Sequence, residues 1–139
     1  MFVLDSNILG AMYAGNTKIL QQLEQIDVAE ITTTIVNKVE LLRGRMDYLL
    51  KADCGEDILR AQVLFKETER VLTEIPILDF DQSAAEHFER LNQITSVRKM
   101  GRADLLIATI ALANRGTLVT RNLKDFQRVP ELKLVNWLD

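Results

Sequence analysis

Short apolar runs that recur between helix-length amphipathic segments restrict this chain more than any other feature. Phe2-Val3-Leu4, Ile31-Thr32-Thr33, Ile75-Pro76-Ile77-Leu78, Thr117-Leu118-Val119-Thr120 and Leu132-Lys133-Leu134-Val135 all read as strands. Between them, apolar residues at 19, 20, 23 and 26, and again at 35, 36, 39, 42, 46, 49 and 50, fall on helical stripes. Further helical segments run from Asp57 to about Leu72, from Asp81 to about Ile94, and from Ala103 to Asn114. Strands alternating with helices predict βαβ units, and hence an α/β fold whose mostly parallel central sheet is covered on both faces. A chain of 139 residues needs only one core, so a single domain over residues 1–139 is expected.

Local signals sharpen the boundaries. Asp5-Ser6-Asn7 are helix-capping types placed directly after the first strand, and Thr33 or Thr34 caps the helix that begins at Ile35. Pro76 cannot donate to a ladder, which favours the first residues of its strand or an edge position. Val97 to Gly101 reads as a basic loop, Gly116 as a left-handed helix cap, and Arg121 to Val129 as a polar connection.

One cysteine, Cys54, and one histidine, His87, exclude an internal disulfide and a Cys/His zinc cluster, so any bound metal is held by oxygen. No apolar run approaches the ~18 residues that span a bilayer, and the N-terminus shows no basic n-region or small-residue cleavage site. A cytoplasmic location away from membranes is expected. The net charge of −3 does not advertise nucleic-acid binding, yet residues 98–133 hold eight bases against three acids.

In parallel sheets, function gathers beyond the carboxyl ends of the strands. Three acids occupy such positions: Asp5 after the first strand, Glu40 in the first turns of the helix after the second, and Asp104 at the start of an apolar helix. Singly, each has a local explanation as a cap, a solvated face or a dipole partner. Jointly, carboxylates forced together repel unless a cation neutralises them, and oxygen-only ligands suit magnesium or manganese. Such an ion activates water toward phosphodiesters.

The segments Met1-Phe2-Val3-Leu4-Asp5-Ser6-Asn7, Val39-Glu40-Leu41-Leu42-Arg43-Gly44, Ala103-Asp104-Leu105-Leu106-Ile107-Ala108 and Leu118-Val119-Thr120-Arg121-Asn122-Leu123-Lys124-Asp125-Phe126 resemble, in order and spacing, the motifs of PIN-domain proteins of the VapC toxin type. The likeness extends to Val129-Pro130-Glu131-Leu132 and Trp137. It implies a three-layer α/β/α fold, Mg²⁺ or Mn²⁺ held by Asp5, Glu40 and Asp104, endoribonuclease activity, a homodimer and an antitoxin partner. The family's fourth acid falls here on Asn122 or Asp125, which leaves two alternatives for completing the site. Asn7 and Thr120 are supporting candidates. Arg43, Arg98, Lys99, Arg102, Arg121 and Lys124 are candidates for guiding RNA, and His87 is read as structural or solvated. The helices from Thr17 to Ile26 and from Ile35 to Leu50 are candidate walls of a groove for an antitoxin helix.

Two other readings compete. Leu4-Asp5-Ser6-Asn7 resembles the nucleophile motif of haloacid-dehalogenase-like phosphatases, but Asn7 stands where their second acid belongs, and the chain is short for such an enzyme. A non-catalytic PIN-like binding module would have no need of all three acids.

Overall fold

The expected alternation runs through the whole chain, residues 1–139, in the computed structural model. In order the elements are β1 (Phe2–Leu4), α1 (Ser6–Tyr13), α2 (Thr17–Glu24), a 3-10 turn (Val28–Glu30), β2 (Ile31–Thr34), α3 (Ile35–Lys51) and α4 (Gly55–Glu74). There follow β3 (Ile77–Leu78), α5 (Gln82–Leu91), α6 (Thr95–Arg98), α7 (Arg102–Ala113), β4 (Thr117–Val119), α8 (Leu123–Phe126) and β5 (Lys133–Val135). The five strands form one sheet in the order β3-β2-β1-β4-β5, and every pairing is parallel.

Strand alternation divides the core into two layers. Val3 and its partner Leu118 point to one face, where they pack with Leu91, Leu105, Ile107 and Phe126 from α5, α7 and α8. Leu4 and Val119, one residue on, point to the other face and meet Ile8, Leu9, Ile19 and Trp137. Helices therefore cover both faces, the three-layer α/β/α arrangement expected of a parallel sheet. No helix is long and apolar enough to cross a membrane.

Capping follows side-chain chemistry. Thr34, not Thr33, caps α3 by accepting from the Asn37 backbone N–H at 3.1 Å, and Asp81 caps α5 by accepting from Ala84 at 2.9 Å. Pro76 lies just before edge strand β3, where its carbonyl accepts from Thr33 at 3.1 Å and its missing N–H leaves no gap in the ladder.

Several boundaries differ from expectation. The segment read as a basic loop at 97–101 begins inside a single helical turn, α6, because Val97 is fully buried and anchors it. The polar connection at 121–129 contains α8, whose Phe126 is wholly buried; one turn is too short to show a helical period. An apolar cavity of about 230 Å³ is lined by Met12 of α1, Leu23 of α2, Val71 of α4, and Ile26 and Ile75 just after α2 and α4.

Gly116 is also not the left-handed residue. Arg115 takes that conformation, at φ 53°, and its N–H and that of Gly116 close the Schellman pattern onto Leu112 and Ala111. Glycine is needed at 116 for space, since a Cβ there would lie 2.7 Å from Val3 Cγ2. Gly116→Ala is accordingly expected to destabilise the fold by about 1–3 kcal/mol through overpacking against β1, read as a lowered urea midpoint. An unchanged midpoint would show that Val3 yields freely.

Candidate functional site

The chain leaves β1 at Asp5 and proceeds through β2 and β3 on one side of it, then returns to lay β4 on the other side. The β1/β4 junction is therefore the point where strand order reverses, and both strands end there. Asp5 follows β1, and its backbone N–H donates to Val119 of β4 at 2.9 Å. Thr120 follows β4. This junction organises the site.

Asp5 is 7% exposed, and its carboxylate is held from three directions. Oδ1 accepts from the Ser6 N–H and from Asn37 Nδ2, both at 2.9 Å, while Oδ2 accepts from Thr120 Oγ1 at 2.7 Å. Two lone pairs on each oxygen leave Oδ1 saturated and one acceptor position free on Oδ2. Thr120 is held in turn, because Oγ1 accepts from the Asn122 N–H at 3.0 Å.

Glu40 sits one turn beyond Asn37 on α3 and accepts from Ser6 Oγ at 3.0 Å through Oε1. Asp125, on α8, accepts from Asn122 Nδ2 at 3.0 Å through Oδ2. Asp104 lies in the first turn of α7, where the helix dipole favours an ionised acid. Burial and the charges of Asp5, Glu40 and Asp125 outweigh that dipole and push its carboxyl up to about 6. Asp5, Glu40 and Asp125, distant in sequence, thus lie near enough for their charges to act on Asp104.

None of the four pairs with a lysine or arginine. Nor do any three acidic, histidine or cysteine side chains stand as a ready-made cation cage. Mutual repulsion accounts for carboxylates that share a region without closing on one point. The donor set fits a hard divalent cation all the same: every ligand atom is oxygen, and Asp5, Glu40 and Asp125 each keep acceptor capacity beyond their protein hydrogen bonds.

Of the supporting candidates, Thr120 contacts Asp5 directly and Asn122 holds Asp125, so the asparagine orients an acid. Asn7 does neither. It is exposed, makes no hydrogen bond to Asp5, and is not the helix cap, because Asp5 caps α1 itself. Sequence reasoning read Ser6 and Thr34 only as capping types and missed Asn37, whose signal was the three-residue spacing Thr34, Asn37, Glu40 at the start of one helix.

Arg43, Arg98, Lys99, Arg102, Arg121 and Lys124 are all exposed or half-buried at the surface, and none forms a salt bridge. Arg43 lies one turn beyond Glu40 on α3, Arg121 and Lys124 flank Asn122, and Arg102 stacks 5.4 Å from the Phe88 ring. His87 contacts Arg90 through Nδ1 at 2.9 Å and makes no hydrogen bond to the acids.

Fold and site together define a parallel α/β domain with an acidic centre at its strand-order reversal. The PIN domain model matches residues 2–132, and the chain belongs to the PIN-domain family. It is similar to ribonuclease VapC2 of Rickettsia felis, 38% identical over 68 residues, a match spanning 48% of this chain and 51% of that protein. It therefore spans about half the length of that relative. Similarity to ribonuclease VapC1 of Haemophilus influenzae strain R2866 is 26% over 140 residues, covering 99% and 98% of the two chains. The crystal structure of VapBC2 from Rickettsia felis, bound to a DNA fragment from their promoter, superposes with a TM-score of 0.77 at 26% identity, covering 98% of each chain.

Proposed function

We propose that residues 1–139 form a single PIN domain acting as a metal-dependent endoribonuclease, the toxin of a VapBC-type toxin–antitoxin pair. The observation that carries this reading is the grouping of Asp5, Glu40, Asp104 and Asp125 at the β1/β4 junction with no cationic side chain to neutralise them. The names of the VapC ribonucleases support the RNA substrate, and the VapBC2 structure supports a protein partner. The reading includes a homodimer working in the cytoplasm.

Asp5, Glu40 and Asp104 would hold Mg²⁺ or Mn²⁺, and Asp125, supported by Asn122, would complete the set. When bound, the metal neutralises the acids, lowers the pKa of water and stabilises charge developing on a phosphate. Thr120 and Asn37 keep Asp5 in one orientation, so the carboxylate need not reorganise as the substrate arrives. Arg43, Arg98, Lys99, Arg102, Arg121 and Lys124 draw the RNA backbone toward a centre that would otherwise repel it, an attraction that weakens with salt.

Purified protein incubated with RNA and Mn²⁺ or Mg²⁺ is expected to cleave internal phosphodiesters, and a chelator is expected to stop cleavage until metal is restored. Release of phosphate from small phosphomonoesters through a trapped aspartyl-phosphate would replace this reading with the phosphatase. Absence of turnover of either substrate would leave a binding module.

A further inference from the structure

We infer that Asn37 is a positioning residue that sets which oxygens Asp5 and Glu40 present at the acidic centre. The inference rests on the metal-dependent reading above and adds a residue and a direction to it.

Asn37 is completely buried at the start of α3, and every hydrogen-bonding group of its side chain is used. Its Oδ1 accepts from Thr34 Oγ1 at 2.7 Å. One hydrogen of Nδ2 goes to Asp5 Oδ1 at 2.9 Å and the other to Ser6 Oγ at 3.0 Å. The Asn37 backbone N–H in turn donates to Thr34 Oγ1, so the two residues are bonded to each other in both directions. Reversing the amide would face its oxygen against the Asp5 carboxylate, which has no hydrogen to give, so the orientation is fixed.

The consequence passes outward in one direction. Ser6 Oγ, having accepted from Asn37, directs its own hydrogen to Glu40 Oε1 at 3.0 Å. A relay therefore runs from the buried amide through a half-buried hydroxyl to the exposed acid on α3, each bond polarising the next. On the other arm, Asn37 and the Ser6 N–H together saturate Asp5 Oδ1 and leave only Oδ2 to face a cation. Asn37 thus leaves Oδ2 as the oxygen Asp5 would offer a cation and, through Ser6, steers Glu40 Oε1 by the same buried group. An aspartate at 37 would match in shape but has no hydrogens to give, and it would add a fifth charge.

The test compares the wild type, Asn37→Ala and Ser6→Ala by Mn²⁺ titration without RNA, by RNA cleavage, and by NMR of the Asn37 side-chain amide in metal-free protein. Asn37→Ala is expected to weaken Mn²⁺ binding 10- to 100-fold, the range for removing a group that orients a metal ligand, with cleavage recovering as Mn²⁺ is raised. Ser6→Ala, which cuts only the Glu40 arm, is expected to have a smaller effect in the same sense. In metal-free wild type both amide protons should exchange slowly, and Ser6→Ala should shift one of them.

A folded Asn37→Ala that binds Mn²⁺ as tightly as wild type would overturn the inference, as would freely exchanging amide protons. Should Asn37→Ala fail to fold, Ser6→Ala carries the titration: weaker Mn²⁺ binding supports the relay, and unchanged binding sinks it. A wild type that binds no Mn²⁺ while its amide protons behave as described would fault the metal-dependent reading and leave the positioning of the carboxylates standing.

Discussion

Asp5→Asn is expected to reduce RNA cleavage roughly 10²–10³-fold while leaving the fold intact, the scale seen when one group stabilising transition-state charge is removed. The separation of effects follows from the three hydrogen bonds on this side chain. An asparagine oxygen replaces Oδ1 and keeps both N–H donors, from Ser6 and Asn37. Its NH₂ then faces Thr120 Oγ1, a hydroxyl that can turn from donor to acceptor. Asp5→Ala is the contrasting case, since it removes the cap of α1, worth about 1 kcal/mol, and strands buried donors on Asn37 and Thr120 at about 1–3 kcal/mol each. Cleavage rates at saturating Mn²⁺, measured beside urea unfolding, decide the matter. An Asp5→Asn enzyme retaining more than about a tenth of wild-type rate would remove Asp5 from the chemistry.

Asp104 governs the second large effect, on stability against pH. In the folded chain its carboxyl is pushed up to about 6, first by burial and then by Asp5, Glu40 and Asp125, whereas an unfolded chain releases that proton near 3.8. Between those values the folded state holds a proton that the unfolded state has lost, so rising pH favours unfolding. The stabilisation is fully present below about 3.8 and gone above about 6. Because the carboxyl is only about half-buried, solvent screening reduces its size to about 1 kcal/mol. Asp104→Asn carries no charge at any pH, so it is expected to be about 1 kcal/mol more stable than wild type at pH 7–8 and nearly equal to it at pH 4. Millimolar Mg²⁺ should narrow the difference at pH 7–8 by binding the native wild type. Urea unfolding of both proteins from pH 4 to 8 tests this, and a wild type that is the more stable of the two at pH 8 without metal would contradict it.

The three-layer arrangement was legible because its period was. Phe2-Val3-Leu4 and Thr117-Leu118-Val119 are too apolar for exposed strands, and the intervening stripes are too long for hairpin turns. Asp5 and Asp104 were legible for a related reason, since each is an acid bordering an apolar element. Strand order was not legible, because three-residue strands carry no record of their neighbours; the β1/β4 junction emerges only when β4 returns past β1. Asn37 escaped notice because a single polar residue in a helix reads as part of its wet face, and only the packing of α3 against α1, α7 and β2 shows it fully buried. Phe126 escaped because α8 has only four residues.

The four acids are drawn from residues 5, 40, 104 and 125, and the strand that steadies the first of them is β4. During synthesis, then, residues 1–74, through α4, carry Asp5 and Glu40 without possessing the centre. Both the return strand and Asp125 must leave the ribosome before the charges gather. A product ending before β4 would keep Asp5 and Glu40 but lose Thr120 and Asp125, so truncation there is expected to abolish the acidic centre without removing the first two acids.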